Sequence, residues 1–315
     1  MQLKELKIGN IVIPVPIIQG GMAIRISTAP LAAAVANEGG IGIIAGTGMS
    51  LDELRSEIRK AKEMTKGIVG VNVLFAVREF ANLVKTAIQE GIDLVVSGAG
   101  FSRDMFAWGK ESGIPIVPIV SSAKLAILAE KLGASAVIVE GKEAGGHLGT
   151  DRSMREILPE VRQVVKIPVI GAGGVIDGKD IADVMRHGAN GVQMGTRFAA
   201  SSESNASDHF KHLYVKAQKE DIILVKSPVG LPGQGIRNHF FNLIEGGNTP
   251  KIETCVKCLK RCSHSFCIMD ALKNSCKSGD SDKALVFSGE YVHKIKEILP
   301  VKTIFKKLLN DVKNA

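Results

Sequence analysis

The sequence predicts an α/β fold, namely a (β/α)8 TIM barrel with an insertion between strand 8 and the closing helix. Three observations predict it. Eight short apolar runs alternate with helix-length segments before residue 200, two glycine-rich turns follow the seventh and eighth runs, and the alternation stops near Asp221. Eight alternating strands and helices, with phosphate-type turns on strands 7 and 8, favour the barrel over a doubly wound open sheet.

The predicted strands are mostly continuous apolar runs, which suit parallel strands buried on both faces. In chain order they are Val12–Ile18, Gly42–Ala45, Val69–Leu74, Leu94–Ser97, Ile116–Val120, Ala136–Val139, Pro168–Gly171 and Gly191–Met194. The predicted helices are Ala29–Asn37, Leu51–Met64, Val77–Glu90, Ser102–Lys110, Ser122–Lys131, Met154–Val165, Gly178–His187 and Asn205–Lys219.

The region after the eighth strand differs in composition. Gly, Pro, Asn and Cys become frequent from about Asp221 to Ser288, which predicts a lid or a small satellite domain. Apolar residues between Lys294 and Lys313 recur at roughly helical spacing and predict the closing helix, with a solvated basic face. The expected organisation is therefore a barrel over 1–220, an inserted lid over 221–288 and the closing helix over 289–315.

Composition argues against several classes of protein. Of the 315 residues 45% are hydrophobic, but no apolar run is long enough to span a membrane. The first residues lack the apolar stretch of a signal peptide, so a cytoplasmic protein is expected. The net charge is +8, yet the basic residues are scattered and only 4% of residues are aromatic, so no nucleic-acid partner is expected. Barrels of this size often dimerise, so a homodimer is expected.

The two glycine-rich turns predict a phosphate site. Val169–Val175 contains Gly-Ala-Gly-Gly, and Gly191–Phe198 contains Met-Gly-Thr. Backbone N–H groups without a Cβ in the way can close on an anion, and a helix N-terminus adds partial positive charge. The expected ligand is a phosphorylated cofactor.

Active sites of such barrels lie at the carboxyl ends of the strands, so the residues that follow each strand are candidates. Gln19-Gly20-Gly21-Met22 follows strand 1, and strand 3 carries Asn72. Strand 6 leads into the stretch from Glu140 to Gly149, which contains His147. An imidazole on a glycine-rich loop over the barrel mouth titrates near neutral pH and suits proton transfer to or from carbon.

Five motifs carry a family resemblance. They are Ile18–Met22, Val71–Val73, Glu143–His147, Gly171–Gly174 and Gln193–Thr196, within a match from Ile17 to about Phe241. With these motifs in this order, the chain resembles the FMN-dependent nitronate monooxygenases, formerly called 2-nitropropane dioxygenases, and the related type II enoyl-ACP reductases.

The resemblance implies FMN as cofactor, NAD(P)H as co-substrate and a small-molecule or acyl-thioester substrate. His147 matches the family's catalytic histidine, and many relatives have Gln at the position of Glu140. Asn72 could alternatively satisfy backbone groups at its strand end. The implied phosphate ligands are Gly173, Gly174, Gly195 and Thr196. The other implied FMN contacts are Gly21, Met22, Asn72, Glu140, Gly145 and Gln193.

A second barrel family, the inosine-monophosphate dehydrogenase group, shares the Gly-Ala-Gly-Gly turn. Its chemistry needs a nucleophilic cysteine on the loop after strand 6. Here that loop carries His147, and no cysteine precedes Cys255. The nucleotide-dehydrogenase interpretation is therefore set aside.

All five cysteines fall between residues 255 and 276. The close spacing of Cys255, Cys258, Cys262 and Cys267 predicts a metal or cluster site, because disulfides are not expected in the cytosol. The uneven spacing favours a [4Fe–4S] cluster over zinc, with Cys276 as the substitute ligand, and resembles the cysteine segments of clostridial-type flavin oxidoreductases of this family. The alternative is a set of reduced thiols without metal.

Three functions stay open at this point. The first is oxidation of nitronates or nitroalkanes with O₂, in which His147 takes the acidic proton α to the nitro group, or flavin reduction by NAD(P)H. The second is NAD(P)H-dependent reduction of the C=C bond of enoyl thioesters. The third is a non-catalytic flavin- or metal-binding module.

Overall fold

A computed structural model describes residues 1–277 and 283–315, and eight parallel strands close into a barrel at its centre. The strands, in chain order, are β1 (Leu6–Ile8), β2 (Ile11–Ile13), β3 (Ile17–Gln19), β4 (Ile41–Ala45), β5 (Ile68–Leu74), β6 (Leu94–Gly98), β7 (Ile116–Val120), β8 (Val137–Glu140), β9 (Gly146–His147), β10 (Val169–Ala172), β11 (Gly191–Met194), β12 (Ile222–Lys226) and β13 (Pro232–Ile236). The barrel consists of β3 to β8, β10 and β11, and β11 pairs with β3 to close it. The predicted (β/α)8 barrel is confirmed.

The predicted first strand, Val12–Ile18, is divided in the structure. Its first part forms β2, which pairs antiparallel with β1, and its second part forms the barrel strand β3. Pro14 and Pro16 separate the two, because proline has a fixed φ and no N–H for a ladder. The β1–β2 hairpin packs its buried side chains against the interior of the barrel at the amino ends of the strands.

The helices alternate with the barrel strands as expected. They are α1 (Ala29–Asn37), α2 (Leu51–Met64), α3 (Phe80–Gln89), α4 (Arg103–Ser112), α5 (Ala123–Leu132), α6 (Met154–Val164), α7 (Gly178–Arg186), α8 (Thr196–Ala199), α9 (Asp208–Lys216), α10 (His239–Glu245), α11 (Ile268–Lys277) and α12 (Val301–Lys313). Ser50, Ser102, Ser122 and Ser153 each accept a backbone N–H bond in the first turn of a helix, which explains where α2, α4, α5 and α6 begin.

Three of the predicted helices have bounds that differ by three residues or more, and two of them lie after the eighth barrel strand. The segment predicted as Asn205–Lys219 is helical only in α9, because Ser207 caps that helix and a separate short helix, α8, follows the eighth barrel strand. The closing helix predicted within 289–315 begins at Val301, directly after Pro300. The fixed φ of proline suits the start of a helix.

Side chains of the barrel strands alternate between two cores. Outward residues such as Val71 and Val192 pack against the helices, whereas inward residues such as Ile138 and Ile170 fill the barrel. Because both faces are apolar, the strands appear in the sequence as continuous apolar runs.

The insertion is tied to the barrel mouth. β12 and β13 form an antiparallel hairpin, and β13 pairs with β9, where Gly233 lies opposite His147. A further bridge joins Val77 to Leu259, so the predicted helix from Val77 starts only at Phe80. The predicted lid, 221–288, includes residues 278–282, which lie outside the described residues. Among the described residues, no helix is long and apolar enough to cross a membrane.

Candidate active site

The residues predicted to form the site line one pocket at the carboxyl end of the barrel. The pocket brings together His147 with Gly21, Met22, Asn72, Glu140, Gly145, Gly173, Gly174, Gln193, Gly195 and Thr196. These residues come from five separate parts of the chain, so the closed barrel is what makes them neighbours. Their roles in binding and catalysis are predictions.

The floor of the pocket is a polar layer at the end of the barrel interior. Glu140 lies in register with Ala172, which lies in register with Gln193, and residues paired in this way point to the same face. Ala172 belongs to the barrel interior, so Glu140 and Gln193 also point inward. One layer below them the interior is apolar, with Ile138 and Ile170.

Two acceptor atoms in this layer have no donor. The Asn72 side chain donates from Nδ2 to the Gly21 carbonyl oxygen at 3.0 Å, whereas its Oδ1 is buried and unpaired among the described residues. Oε1 of Gln193 is in the same state. A buried acceptor without a donor costs roughly 1–3 kcal/mol, so a ligand that donates to these atoms would be favoured. A Cβ at Gly21 would lie 2.4 Å from that of Asn72, so glycine is required there.

The Gly-Ala-Gly-Gly turn forms the second wall of the pocket. Gly173 and Gly174 have φ values of 103° and 66°, which favour glycine. Their N–H groups donate no hydrogen bond within residues 1–277 and 283–315. Gly195 and Thr196 follow the neighbouring strand and line the same wall. The turn therefore offers unpaired amides to an anion.

The helix between the two turns does not add its N-terminus to this site. The first turn of α7 is closed by a capping box, in which the Asp177 side chain accepts the N–H of Asp180. The Asp180 carboxylate in turn accepts the N–H groups of Ile176 and Asp177 and pairs with Lys294 at 2.9 Å. At α7 these carboxylates therefore accept some of the N–H groups that an anion would otherwise contact.

A segment far along the chain completes the phosphate wall. Gly289 donates its N–H to Thr196 Oγ1 at 3.0 Å, and Glu290 donates to the Glu143 carbonyl oxygen. The ring of Tyr291 lies so close to Gly174 that its Cε2 would be 2.8 Å from a Cβ at that position. Sequence reasoning missed this segment, because no local motif marks it and it reaches the site only through the fold.

His147 lies where the barrel loop and the insertion meet. Its Nε2 lies 2.7 Å from Ser227 Oγ, and its ring packs edge-on against Phe287 at 5.1 Å between centroids. Burial lowers the pKa of His147 to about 4, although part of the side chain is exposed to solvent. The imidazole is therefore neutral at pH 7. Ser227, which also accepts the Val229 N–H, is a second residue that the sequence did not reveal.

Unlike a surface carboxylate in water, the Glu140 side chain is shielded from solvent inside the barrel end. It lines the pocket without a hydrogen-bond or ion-pair partner among the described residues. Burial raises the pKa of Glu140 to about 8. The Glu143 carboxylate, in contrast, accepts the Met154 N–H at 3.1 Å and is held in the loop.

The roof of the pocket is apolar and comes mainly from the insertion. Val229, Leu259, Ile268, Met269, Leu272 and Phe287 supply it, and Ile24 and Ile26 extend it from the barrel. This roof gives the pocket two unlike sides, one of backbone amides and polar side chains and one of hydrocarbon. Such a pocket suits a ligand that is itself polar at one end and apolar at the other.

The cysteines do not form the predicted cluster site. Cys255 is exposed, Cys258, Cys262 and Cys267 are partly buried, and Cys276 is buried on α11. Among the described residues, no group of three or more His, Cys, Asp or Glu side chains is arranged to hold a metal ion. The [4Fe–4S] and zinc expectations are therefore not supported.

The cysteine segment instead holds the roof against the barrel. Arg78 donates its N–H to the Cys258 carbonyl oxygen, and Lys260 donates its N–H to that of Ala76. Lys260 also donates from Nζ to the Phe75 carbonyl oxygen at 2.6 Å. Leu259 is thereby fixed over the pocket.

Comparison with known sequences gives the family. The sequence model described as nitronate monooxygenase matches residues 4–311 of this chain. The chain belongs to the nitronate monooxygenase family. It is therefore an enzyme, and the family implies FMN as its cofactor. The non-catalytic alternative is set aside.

Two curated relatives illustrate the spread of the family. A (3aS,4S,5R,7aS)-5-hydroxy-7a-methyl-1-oxo-octahydro-1H-indene-4-carboxyl-CoA dehydrogenase of Mycobacterium tuberculosis is 35% identical over 74% of this chain and 66% of that protein. A probable nitronate monooxygenase of Staphylococcus saprophyticus is 31% identical over 77% of this chain and 81% of that protein. The chain thus spans slightly less than two thirds of the length of the M. tuberculosis protein.

Solved structures of family members share the whole fold. FabK from Thermotoga maritima is 35% identical, with a TM-score of 0.87 over 96% of this chain and 94% of that one. A nitroalkane oxidase from Streptomyces ansochromogenes is 26% identical, with a TM-score of 0.82 over 96% of each chain.

The pocket meets the requirements of the cofactor that the family implies. FMN has a phosphate at one end and a ring system with both donors and acceptors at the other. The pocket has free turn amides at Gly173 and Gly174 on one side and unpaired polar atoms of Asn72 and Gln193 at its floor. The residues present therefore fit FMN.

Proposed function

We propose that this protein is an FMN-dependent oxidoreductase that reduces the C=C bond of an enoyl thioester at the expense of NAD(P)H. The observation that carries the proposal is the apolar roof, because Leu259, Met269 and Leu272 face the polar floor across the same pocket as His147. A hydrocarbon chain can lie along this roof with its thioester near the imidazole. A small nitronate would leave most of the roof without contacts.

Relatives support a thioester substrate. The M. tuberculosis protein is named for a carboxyl-CoA substrate, and FabK is an enoyl-ACP reductase II; both are 35% identical to this chain. The chain covers only 66% of the M. tuberculosis protein, so the proposal includes an acyl thioester but not the particular substrate of that protein. What supports the proposal is the shared chemistry of an acyl thioester beside a flavin site.

The chain's own residues would divide the work of binding. The turn amides of Gly173 and Gly174, with Gly195 and Thr196, would bind the FMN phosphate. Gly21 would allow the ring to approach the backbone, since a Cβ there would collide with Asn72 and Ile43. The remaining ring contacts would come from Met22, Asn72, Glu140, Gly145 and Gln193.

When bound, FMN would supply hydride transfer between NAD(P)H and the substrate. His147 would then act on the thioester and the proton. A neutral imidazole with one N–H can donate a hydrogen bond to the thioester carbonyl oxygen, and can pass a proton to the adjacent carbon only if its other nitrogen takes one up from water or Ser227 at the same time. Ser227 Oγ accepts from Val229, so its own O–H is free to donate to Nε2 of His147 and fix the ring. Phe287 and the roof would exclude water from this reaction.

A second candidate is oxidation of nitronates or nitroalkanes with O₂. The family match and the named S. saprophyticus relative favour it. His147 is neutral at pH 7, and a neutral imidazole can accept the acidic proton α to a nitro group.

Substrate turnover separates the two candidates. Purified protein with FMN would be assayed without oxygen, following NADH and NADPH oxidation with enoyl thioesters of increasing chain length. It would be assayed in air with propionate-3-nitronate. We expect thioester turnover that improves with chain length and exceeds nitronate turnover. Nitronate turnover with O₂ and no reaction of any enoyl thioester would reject the reductase and establish the second candidate.

Three further sequence predictions enter this proposal. We propose a homodimer, which light scattering on the purified protein would test. We propose the division into barrel, lid and closing segment, which limited proteolysis would test by cleavage first within 221–288. A cytoplasmic location is the third, and cell fractionation would test it.

A further inference from the structure

The polar floor of the pocket contains an acid with no base beside it. Glu140 points inward from β8, in register through Ala172 with Gln193 on β11. No lysine or arginine lines the pocket in the part of the chain that the structure describes. An ionised carboxylate here would therefore lie without a counter-ion next to low-dielectric walls, which is costly.

The hydrogen-bonding groups around Glu140 are unbalanced in the same direction. Oδ1 of Asn72 and Oε1 of Gln193 are buried acceptors without donors, and Nδ2 of Asn72 is used by Gly21. An ionised Glu140 would add two further acceptors to this floor, whereas a protonated Glu140 would add a donor. The isoalloxazine ring of FMN carries several acceptor atoms and one ring N–H. With Glu140 ionised, the floor would hold four acceptor oxygens and, besides the Asn72 amide N–H groups, only the Gln193 amide nitrogen as a donor, which would match the ring poorly.

We propose that Glu140 is held as a neutral carboxylic acid and donates a hydrogen bond to an acceptor atom of bound FMN. This inference rests on the proposed function, in that FMN is the ligand of the pocket. It makes Glu140 equivalent in hydrogen bonding to the Gln found at this position in many relatives, since an amide also donates. It also makes FMN binding dependent on the protonation of Glu140.

Among the ionisable groups that line the pocket in the described residues, Glu140 is the one expected to titrate between pH 7 and pH 9. Burial raises the pKa of Glu140 to about 8, whereas that of His147 on β9 lies near 4. Burial raises the pKa of Tyr214 on α9 and of Tyr291 before the closing helix. The Glu143 carboxylate is bonded to the Met154 N–H. The roof residues from the insertion are not ionisable.

The test is the affinity of the full chain for FMN as a function of pH, followed by flavin fluorescence. If only the protonated form binds, the dissociation constant rises about tenfold between pH 7 and pH 9, above the range near pH 6 in which the FMN phosphate itself ionises. Glu140→Gln should bind FMN at pH 7 within about threefold of the wild type, because it keeps a donor, and should lose the rise. Glu143→Gln, the matched acid in the same pocket, should keep the wild-type rise.

Infrared difference spectra give a second readout that does not depend on FMN. The C=O stretch of a protonated carboxylic acid should be present in the wild type at pH 6.5, absent at pH 10 and missing in Glu140→Gln at both. A wild-type dissociation constant that is flat to pH 9, or a rise that persists in Glu140→Gln, would overturn the inference while leaving FMN binding intact. Absence of FMN binding at pH 7 would overturn the proposed function together with it.

Discussion

One wall of the pocket is made of backbone at the ends of two neighbouring barrel strands, whereas the opposite roof is made of apolar side chains from the insertion. Gly173 and Gly174 line the pocket without a side chain, and their N–H groups have no partner among the described residues. Leu259, Met269 and Leu272 contribute only through their side chains, which long-range contacts bring into place. The first wall should set which cofactor binds, and the second should set which substrate binds.

His147 belongs to both regions, and the largest effect is expected there. It lies on the barrel loop but contacts Ser227 and Phe287 of the insertion. Removing a proton-transfer group costs typically about 100- to 10,000-fold in turnover, so His147→Gln should lose that much of kcat while FMN stays bound. Steady-state kinetics and the flavin spectrum measure this. His187→Gln, directly after α7 and outside the pocket, is the control and should keep wild-type turnover. Unchanged turnover in His147→Gln with FMN bound would show that the imidazole is not catalytic.

The backbone wall can be tested with two glycines of nearly equal φ. Gly173 has a φ of 103° and Gly133 has 102°, but a Cβ on Gly173 would lie 3.0 Å from the Ala144 nitrogen, whereas one on Gly133 meets nothing within 4 Å. Alanine at either position should lower stability by about 1–2 kcal/mol. Only Gly173→Ala should weaken FMN binding, by about tenfold or more, because a contact with the phosphate is displaced.

Isothermal titration with FMN and urea unfolding would separate these two effects. An equal loss of FMN affinity in Gly173→Ala and Gly133→Ala would mean that backbone strain alone is responsible. The distinction between a cofactor wall and a substrate roof would then fail.

The roof should affect long substrates and spare the cofactor. Met269→Ala removes three heavy atoms from the apolar surface, and the loss of about 1 kcal/mol of contact should raise KM for long-chain enoyl thioesters about five- to tenfold. KM for a four-carbon thioester and FMN affinity should stay the same. Met64→Ala, an exposed methionine on α2, is the matched control. If KM rose equally for short and long chains, the roof would not be the surface that binds the acyl chain.

The smallest effect concerns acid stability. The roof and Phe287 bury His147 and lower its pKa from 6.5 to about 4, so the unfolded chain binds more protons than the folded one between these values. The free energy of unfolding should therefore fall by about 1 kcal/mol as the pH drops from 6.5 to 4. The upper limit is about 1.4 kcal/mol for each pH unit, and the partial exposure of His147 to solvent reduces it. Urea unfolding of FMN-free wild type and His147→Gln would measure it, and the variant should lose less. Parallel curves would show that the insertion does not bury His147 in solution.

The backbone wall of the barrel could be predicted from the sequence, whereas the roof from the insertion could not. The eight strands, most helices to within about three residues and the grouping of the eleven candidate residues in one pocket were predicted from the sequence, because apolar runs and strand-end motifs are local signals. Two features that differ from the prediction also have local causes. Pro14 and Pro16 divide the first predicted strand, and Asp177 and Asp180 form the capping box of α7. The [4Fe–4S] prediction failed because close spacing of Cys255 to Cys267 along the chain does not bring their thiols into one coordination sphere.

The sequence by itself determined the barrel and the family and predicted a backbone anion site, because each depends on residues close together along the chain or on motifs in a fixed order. Only the tertiary structure decided what faces that site. It brings Tyr291 to Gly174, Ser227 to His147, and Leu259 to Val77 at the edge of the roof. The residues of each pair are 80 or more positions apart in the sequence. The ionisation of Glu140 and His147 was decided there as well, since a pKa depends on burial and on neighbouring charges, which the order of residues does not specify.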